Sequence, residues 1–176
     1  MCDSKKINCA LEFARQKHKG QKRIGGKEYI SHPIAVWEMV KNQGYGEDYQ
    51  ITALFHDLLE DTDATENEIL RLSNQNVLDA VKLLTKEKGY DMKKYIDGIK
   101  SNPIAFVVKS ADRLHNLQCA LETSMEFKRK YILETVDWYL DFSKEIKVAV
   151  KKLAESLDTP ILELSFLYTP IESWKI

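Results

Sequence analysis

Four residues carry side chains that ligate cations: His32, His56, Asp57 and Asp112. His56 and Asp57 are adjacent. Neighbours on a helix point about 100° apart, so the two reach one ion only when it sits at the helix edge. His32 precedes them by one predicted helix, and Asp112 follows on a later one. Ligands from several helices can surround one site in a bundle core. Two imidazoles and two carboxylates suit Mn²⁺, Fe²⁺ or Zn²⁺ better than Ca²⁺, which prefers oxygen-only cages. Taken singly, a helical His is most often a packed or surface residue, and an Asp beside it a solvated charge. The neighbours argue otherwise. His56-Asp57 sits between Ala53-Leu54-Phe55 and Leu58-Leu59, and Asp112 follows Val107-Val108. Charge in apolar surroundings is costly unless paired or metal-bound.

Two further carboxylates lie close in sequence. Glu60 is at i+4 from His56, which puts both on one face of a helix. A carboxylate there can orient a water or take its proton. A divalent cation would acidify that water and screen phosphate charge. Asp61 follows Asp57 at the same spacing and can assist proton transfer. As a solvated acidic helix end, Glu60-Asp61-Thr62-Asp63 would oppose the helix dipole. Asn116 is at i+4 from Asp112 and faces the same way. Arg23 lies in a basic, Gly-containing loop, where it either forks a phosphate or stacks on a base, or remains a solvated loop cation. Lys128-Arg129-Lys130 reads as a solvated face. His18 and His115 read as supporting residues, Trp37 and Trp138 as core. Cys119 has no neighbouring base that would make it a nucleophile.

The elements that must position these groups read as helices throughout. The first spans Asp3 to Lys19 and stops at Gly20. A polar loop leads to Ser31-His32-Pro33, where Pro suits the first turn of a second helix ending at Gly44. Asp48 is predicted to cap a third, apolar over much of its circumference and running through His56-Asp57 to Asp61. Thr65 and Glu68 form a capping-box pattern for a fourth. Val77, Ala80, Val81 and Leu84 mark a fifth, and Asp91 to Lys100 a sixth. Asn102-Pro103 opens a seventh with an apolar stripe from Ile104 to Leu121. Thr123 and Glu126 are predicted to cap a long eighth, reaching Leu157. No βαβ alternation appears, so the fold class is all-α: a single-domain helical bundle. The predicted domain is 1–158. Residues 159–176 form an apolar tail expected to pack on the body or on a partner subunit.

Composition bounds the function. The chain has 176 residues, 26 Lys+Arg against 27 Asp+Glu, and a net charge of -1. That length suits one domain. The near-neutral balance argues against a general nucleic-acid binder, which needs a basic surface. It leaves room for a local basic pocket, such as the cluster from Lys17 to Arg23. No apolar run long enough to span a membrane is present. The N-terminus from Met1 to Lys6 lacks the apolar stretch of a signal peptide. Cys2, Cys9 and Cys119 are an odd, scattered set, which fits a reducing cytoplasm better than a disulfide framework. A cytoplasmic protein with no membrane partner is expected, and a homo-oligomer stays open.

His32, His56-Asp57 and Asp112 match the H…HD…D pattern of the HD superfamily of metal-dependent phosphohydrolases. Three longer stretches resemble motifs of RelA/SpoT-type alarmone hydrolases. They are His18-Lys19-Gly20-Gln21-Lys22-Arg23 with Tyr29-Ile30-Ser31-His32-Pro33, then Leu54 to Thr62, then Lys109 to Leu117. Glu134-Thr135-Val136-Asp137-Trp138-Tyr139 is similar to a later helical segment of that family. The resemblance spans about residues 8–142 and implies a stand-alone hydrolase, without the family's synthetase domain. It implies Mn²⁺-dependent removal of the 3′-pyrophosphate from guanosine 3′,5′-bis(diphosphate) and its pentaphosphate analogue. It further implies His32, His56, Asp57 and Asp112 as metal ligands, Glu60 and Asp61 as the catalytic acids, and Arg23, Lys109 and Asn116 as substrate-binding residues. Departures fall on the substrate side. Ile24 stands where the family commonly has Lys, Lys27-Glu28 replaces Glu-Pro, and Gln118-Cys119 replaces Arg-Thr. The alternatives are the same chemistry on another nucleotide, such as a nucleoside monophosphate or the 2′-phosphate of NADPH, and a non-catalytic alarmone-binding module.

Overall fold

A computed structural model describes residues 4–174. Cys2, and the residues 1–3 used in the signal-peptide expectation, lie outside them. Among the described residues there are ten α-helices and two short 3₁₀ helices, with no β-strand. The all-α expectation is met.

The first helix, α1 (Lys5–Lys17), starts where Ser4 Oγ accepts the Ile7 N–H. Gly20 takes a positive φ of 85°, which a side chain would strain, and turns the chain out of it. The loop then folds back on itself. Lys22 and Glu28 form an isolated bridge, and Gly25 and Gly26 make the turn at positive φ. α2 (Ser31–Asn42) begins at once, with Pro33 in its first turn. α3 (Glu47–Phe55) and α4 (Leu58–Asp61) follow. Then come α5 (Glu66–Leu72), α6 (Gln75–Leu84) and α7 (Met92–Ser101). The predicted capping box is present: Thr65 accepts the Glu68 N–H and Glu68 accepts the Thr65 N–H. α8 (Pro103–Ala120), α9 (Met125–Trp138) and α10 (Lys144–Glu155) complete the α-helices.

Contacts divide the chain into two compact units, one up to Ala111 and the other from Asp112, so the division falls inside α8. In the first unit α3 is the central element, packed by α1, α2 and α6. All five residues from Ile51 to Phe55 are buried, as the predicted all-round hydrophobicity requires. In the second unit α10 packs on α9 and on the 3₁₀ helix Leu162–Tyr168. Ile146, Val150, Leu153 and Leu167 are fully buried there, and Trp174 nearly so. Leu162–Tyr168, in the expected apolar tail, therefore packs on α10.

Three expected boundaries are corrected. Gly46, not Asp48, precedes the first turn of α3; Asp48 sits inside that turn and accepts the side-chain amides of Asn74 and Asn76 (2.8 and 3.4 Å). The predicted third helix is interrupted at His56-Asp57. The His56 ring Nδ1–H donates to the Ala53 carbonyl (2.8 Å), competing for the acceptor that a continuing helix would offer to Asp57 N–H. The predicted eighth helix is capped by Ser124 rather than Thr123, and it is two helices, α9 and α10. Ser143 Oγ accepts the Ile146 N–H and starts the second. The break escaped the periodicity because Tyr139 and Phe142, at the turn, are themselves buried with rings 5.3 Å apart.

Candidate active site

Three of the four expected ligands converge within the first unit. His32 is the second residue of α2, and His56 and Asp57 form the break between α3 and α4. Their candidate ligand atoms all lie within 4.8 Å of one another. His32 Nε2 and His56 Nε2 are 3.2 Å apart, and Asp57 Oδ2 is 3.0 Å from His56 Nε2 and 3.6 Å from His32 Nε2. Both imidazoles are 2% exposed, so water does not solvate this junction from the histidine side.

The donor set fits a cation. A carbonyl only accepts, so the bond to Ala53 puts the His56 proton on Nδ1. In the neutral ring this leaves the Nε2 lone pair facing the cluster, the arrangement that ligating histidines adopt when a backbone carbonyl holds the other nitrogen. Two buried imidazole nitrogens and a carboxylate oxygen then face one another, an electron-rich junction that a divalent cation would relieve. Asp57 itself has φ −102° and ψ −1°, in the sparsely populated bridge region that active-site residues often occupy. The break in the helix thus turns two adjacent side chains, normally 100° apart, towards one point.

The fourth expected ligand, Asp112, is buried on α8 at the start of the second unit, and its Oδ1 accepts from Asn116 Nδ2 at 2.6 Å. The predicted i+4 pairing of those two residues is present.

The two expected catalytic acids diverge. Glu60 turns to the segment after α6, where its carboxylate accepts the Lys86 N–H (2.8 Å). Partial burial raises its pKa, with the charges of Asp57 and Asp61 acting the same way, while the Lys86 N–H and Lys109 oppose. Lys109 lies 5.8 Å from the Tyr95 ring centre. Asp61 stays near Asp57: its N–H donates to the Asp57 carbonyl (2.9 Å), closing one helical turn. An open cleft of about 670 Å³ borders it, lined also by Phe13, Lys17, Gln21 and Glu68.

Sequence reasoning attached no role to Tyr29, yet its hydroxyl lies 2.8 Å from Asp57 Oδ2 and 2.8 Å from Asp61 Oδ2. Burial and the charge of Asp57 push this phenol well above the ordinary tyrosine range, so it remains a proton donor. The ring is held by His18, tilted by 30° with centroids 4.8 Å apart, and by the His32 edge at 6.1 Å. The Arg23 guanidinium lies 6.0 Å from the same ring. Gln21 ties the loop to α4: its Oε1 is 2.7 Å from His18 Nδ1, and its Nε2 donates to the Asp61 carbonyl at 2.6 Å. His18, expected as a supporting residue, supports Tyr29. The available signal was spacing, since Tyr29 lies three residues before His32.

An all-α fold with two buried histidines and one partly exposed carboxylate clustered at a helix break defines a class of helical proteins able to hold a divalent metal. The HD domain family model matches residues 10–146. The chain belongs to the HD domain family. It is 33% identical over 181 residues to the GTP pyrophosphokinase rsh of Brucella melitensis biotype 1, covering 96% of this chain and 23% of that protein. It is 32% identical over 153 residues to the guanosine-3′,5′-bis(diphosphate) 3′-pyrophosphohydrolase of Aquifex aeolicus, covering 82% of this chain and 22% of that one. The chain thus spans under a quarter of the length of these curated relatives. A solved structure described as a metazoan ortholog of SpoT that hydrolyzes ppGpp shares the fold, with a TM-score of 0.73 and 23% identity over 88% of this chain and 97% of that one.

Proposed function

We propose that this chain hydrolyses the 3′-pyrophosphate of guanosine 3′,5′-bis(diphosphate), consuming one water and releasing GDP and pyrophosphate, and likewise converts the pentaphosphate to GTP. The convergence of His32, His56 and Asp57 beside Asp61 is the observation that carries this reading. The name of the Aquifex relative and the description of the metazoan structure point to the same substrate.

His32, His56, Asp57 and Asp112 would hold the cation, which we take to be Mn²⁺. When bound, it supplies a Lewis acid for a phosphoryl group and acidifies water. Glu60 and Asp61 then take the proton from the attacking water and return one to the leaving ribose oxygen. Partial burial and the charges of Asp57 and Asp61 raise the Glu60 pKa, which makes it a stronger base than a solvated glutamate. Arg23, Lys109 and Asn116 would bind the nucleotide, Arg23 from a loop pinned by its bridge. The near-neutral net charge supports a small-molecule partner over a nucleic acid, and we place the protein in the cytoplasm. Among the described residues no helix is long and apolar enough to cross a membrane.

The test is direct. The purified chain with Mn²⁺ should release pyrophosphate from ppGpp, and a chelator should stop it. Orthophosphate from a nucleoside monophosphate or from NADPH, with ppGpp untouched, would replace the alarmone with another nucleotide. Tight ppGpp binding with no turnover would make the chain a binding module.

A further inference from the structure

We propose that Tyr29 is a positioning residue that couples cation loading to the placement of Asp61. The inference rests on the cation-binding reading above.

A phenol carries one proton. The Tyr29 hydroxyl stands at equal distances, 2.8 Å, from two carboxylate oxygens and can donate to only one at a time. The two acceptors are not equivalent. Asp57 Oδ2 is also the oxygen that faces His32 Nε2 and His56 Nε2, so it is the atom a cation would take. Asp61 Oδ2 is not in that cluster. Charge drawn from Asp57 towards a cation makes it the poorer acceptor, and the proton then rests on Asp61. Loading the metal centre therefore orients Asp61, and an empty centre leaves it competing for the proton. The hydroxyl cannot drift away from the pair, because its ring is wedged against His18 and His32. Gln21, which touches both His18 and the Asp61 backbone, fixes the distance between the ring and α4. No group changes its protonation state; one hydrogen bond changes partner.

Tyr29→Phe keeps the ring and removes the proton. Calorimetric titration of the full chain with Mn²⁺ should give an affinity within about threefold of the wild type, because the bond that a loaded centre keeps goes to Asp61 and not to the ligand Asp57. Turnover of ppGpp should fall about 10–100-fold in kcat, the usual cost of an outer-shell partner, with KM nearly unchanged. In an Asp61→Asn background the same substitution should change kcat less than about threefold, since residues acting through one another are not additive. A tenfold or greater loss of Mn²⁺ affinity in Tyr29→Phe would make Tyr29 a mere support for Asp57 and overturn the proposal. So would kcat losses that multiply in full. Asp61→Asn provides a second measurement that leaves Tyr29 in place. The proton then stays on Asp57, and Mn²⁺ should bind about tenfold more weakly; unchanged affinity would also overturn the coupling. A wild-type chain that binds no Mn²⁺ defeats the proposed function and this inference together. A wild type that binds and hydrolyses, with additive variants, defeats the inference alone.

Discussion

At the residue scale the decisive feature is the direction of lone pairs. The bond from His56 Nδ1 to Ala53 orients one imidazole, and the other meets it at 3.2 Å. Asp57→Ala should abolish Mn²⁺ binding in calorimetry and with it all hydrolysis. Glu60→Gln removes a carboxylate without touching the cluster. It should lower kcat by about 10²–10⁴, the range for a general base, with Mn²⁺ affinity within a few-fold of wild type. Ile24 is 74% exposed, so replacing it costs the fold little. Ile24→Lys restores the residue commonly found there in the alarmone hydrolases and should raise turnover of ppGpp, measured as kcat/KM. No gain would separate that position from the substrate.

At the element scale the site depends on an interruption. A continuous helix through His56 and Asp57 would point them about 100° apart; the break at Asp57 brings both to one place. The short α4 that follows is secured at its far end by Thr62, whose hydroxyl donates to the Leu58 carbonyl (2.7 Å). The capping box of α5 comes next. Thr65→Ala should cost about 1 kcal/mol, seen as a lower Tm. Glu68 carries a pH dependence. Its carboxylate is held below the usual glutamate range by the Thr65 N–H, with Lys17 adding to the effect. The contribution to stability is therefore complete above the ordinary glutamate pKa and disappears as pH falls through the lower folded value. Acid melts of Glu68→Gln should thus show a smaller loss of Tm below about pH 4.5 than wild type does.

At the scale of the whole molecule, a cation that binds only the folded chain must stabilise it. Mn²⁺ at a hundredfold excess over its Kd adds about 2.7 kcal/mol, and Asp57→Ala should erase the corresponding rise in Tm. The second unit is built on its own core. Leu167 is fully buried against α10 from the tail. Leu167→Ala should cost about 2–5 kcal/mol, through lost burial and the cavity left behind. Urea melts followed by two probes, one in each unit, would read this loss.

Much of the fold and of the site is legible in the residues themselves. A cap needs only a side-chain oxygen and a nearby N–H, so Thr65 with Glu68, the Pro33 turn and Gly20 are readable from the residues alone; where two candidates stand close together, as at Asp48 and Thr123, the fold chose the neighbours Gly46 and Ser124. The all-round apolar character of α3 likewise announced its central burial, and the apolar neighbours of His56-Asp57 marked that pair as unusual. Helix breaks are not readable in this way. The interruption at Asp57 follows from where the His56 ring finds a carbonyl, and the one at Tyr139–Phe142 is masked because both turn residues are buried. The same limit applies to chemistry. Residue types and spacing nominated His32, His56 and Asp57, since ligand chemistry is written in the side chain. Only the tertiary structure could bring a loop tyrosine between Asp57 and Asp61, because that bridge depends on how the 21–29 loop folds back over α4, which no periodicity encodes.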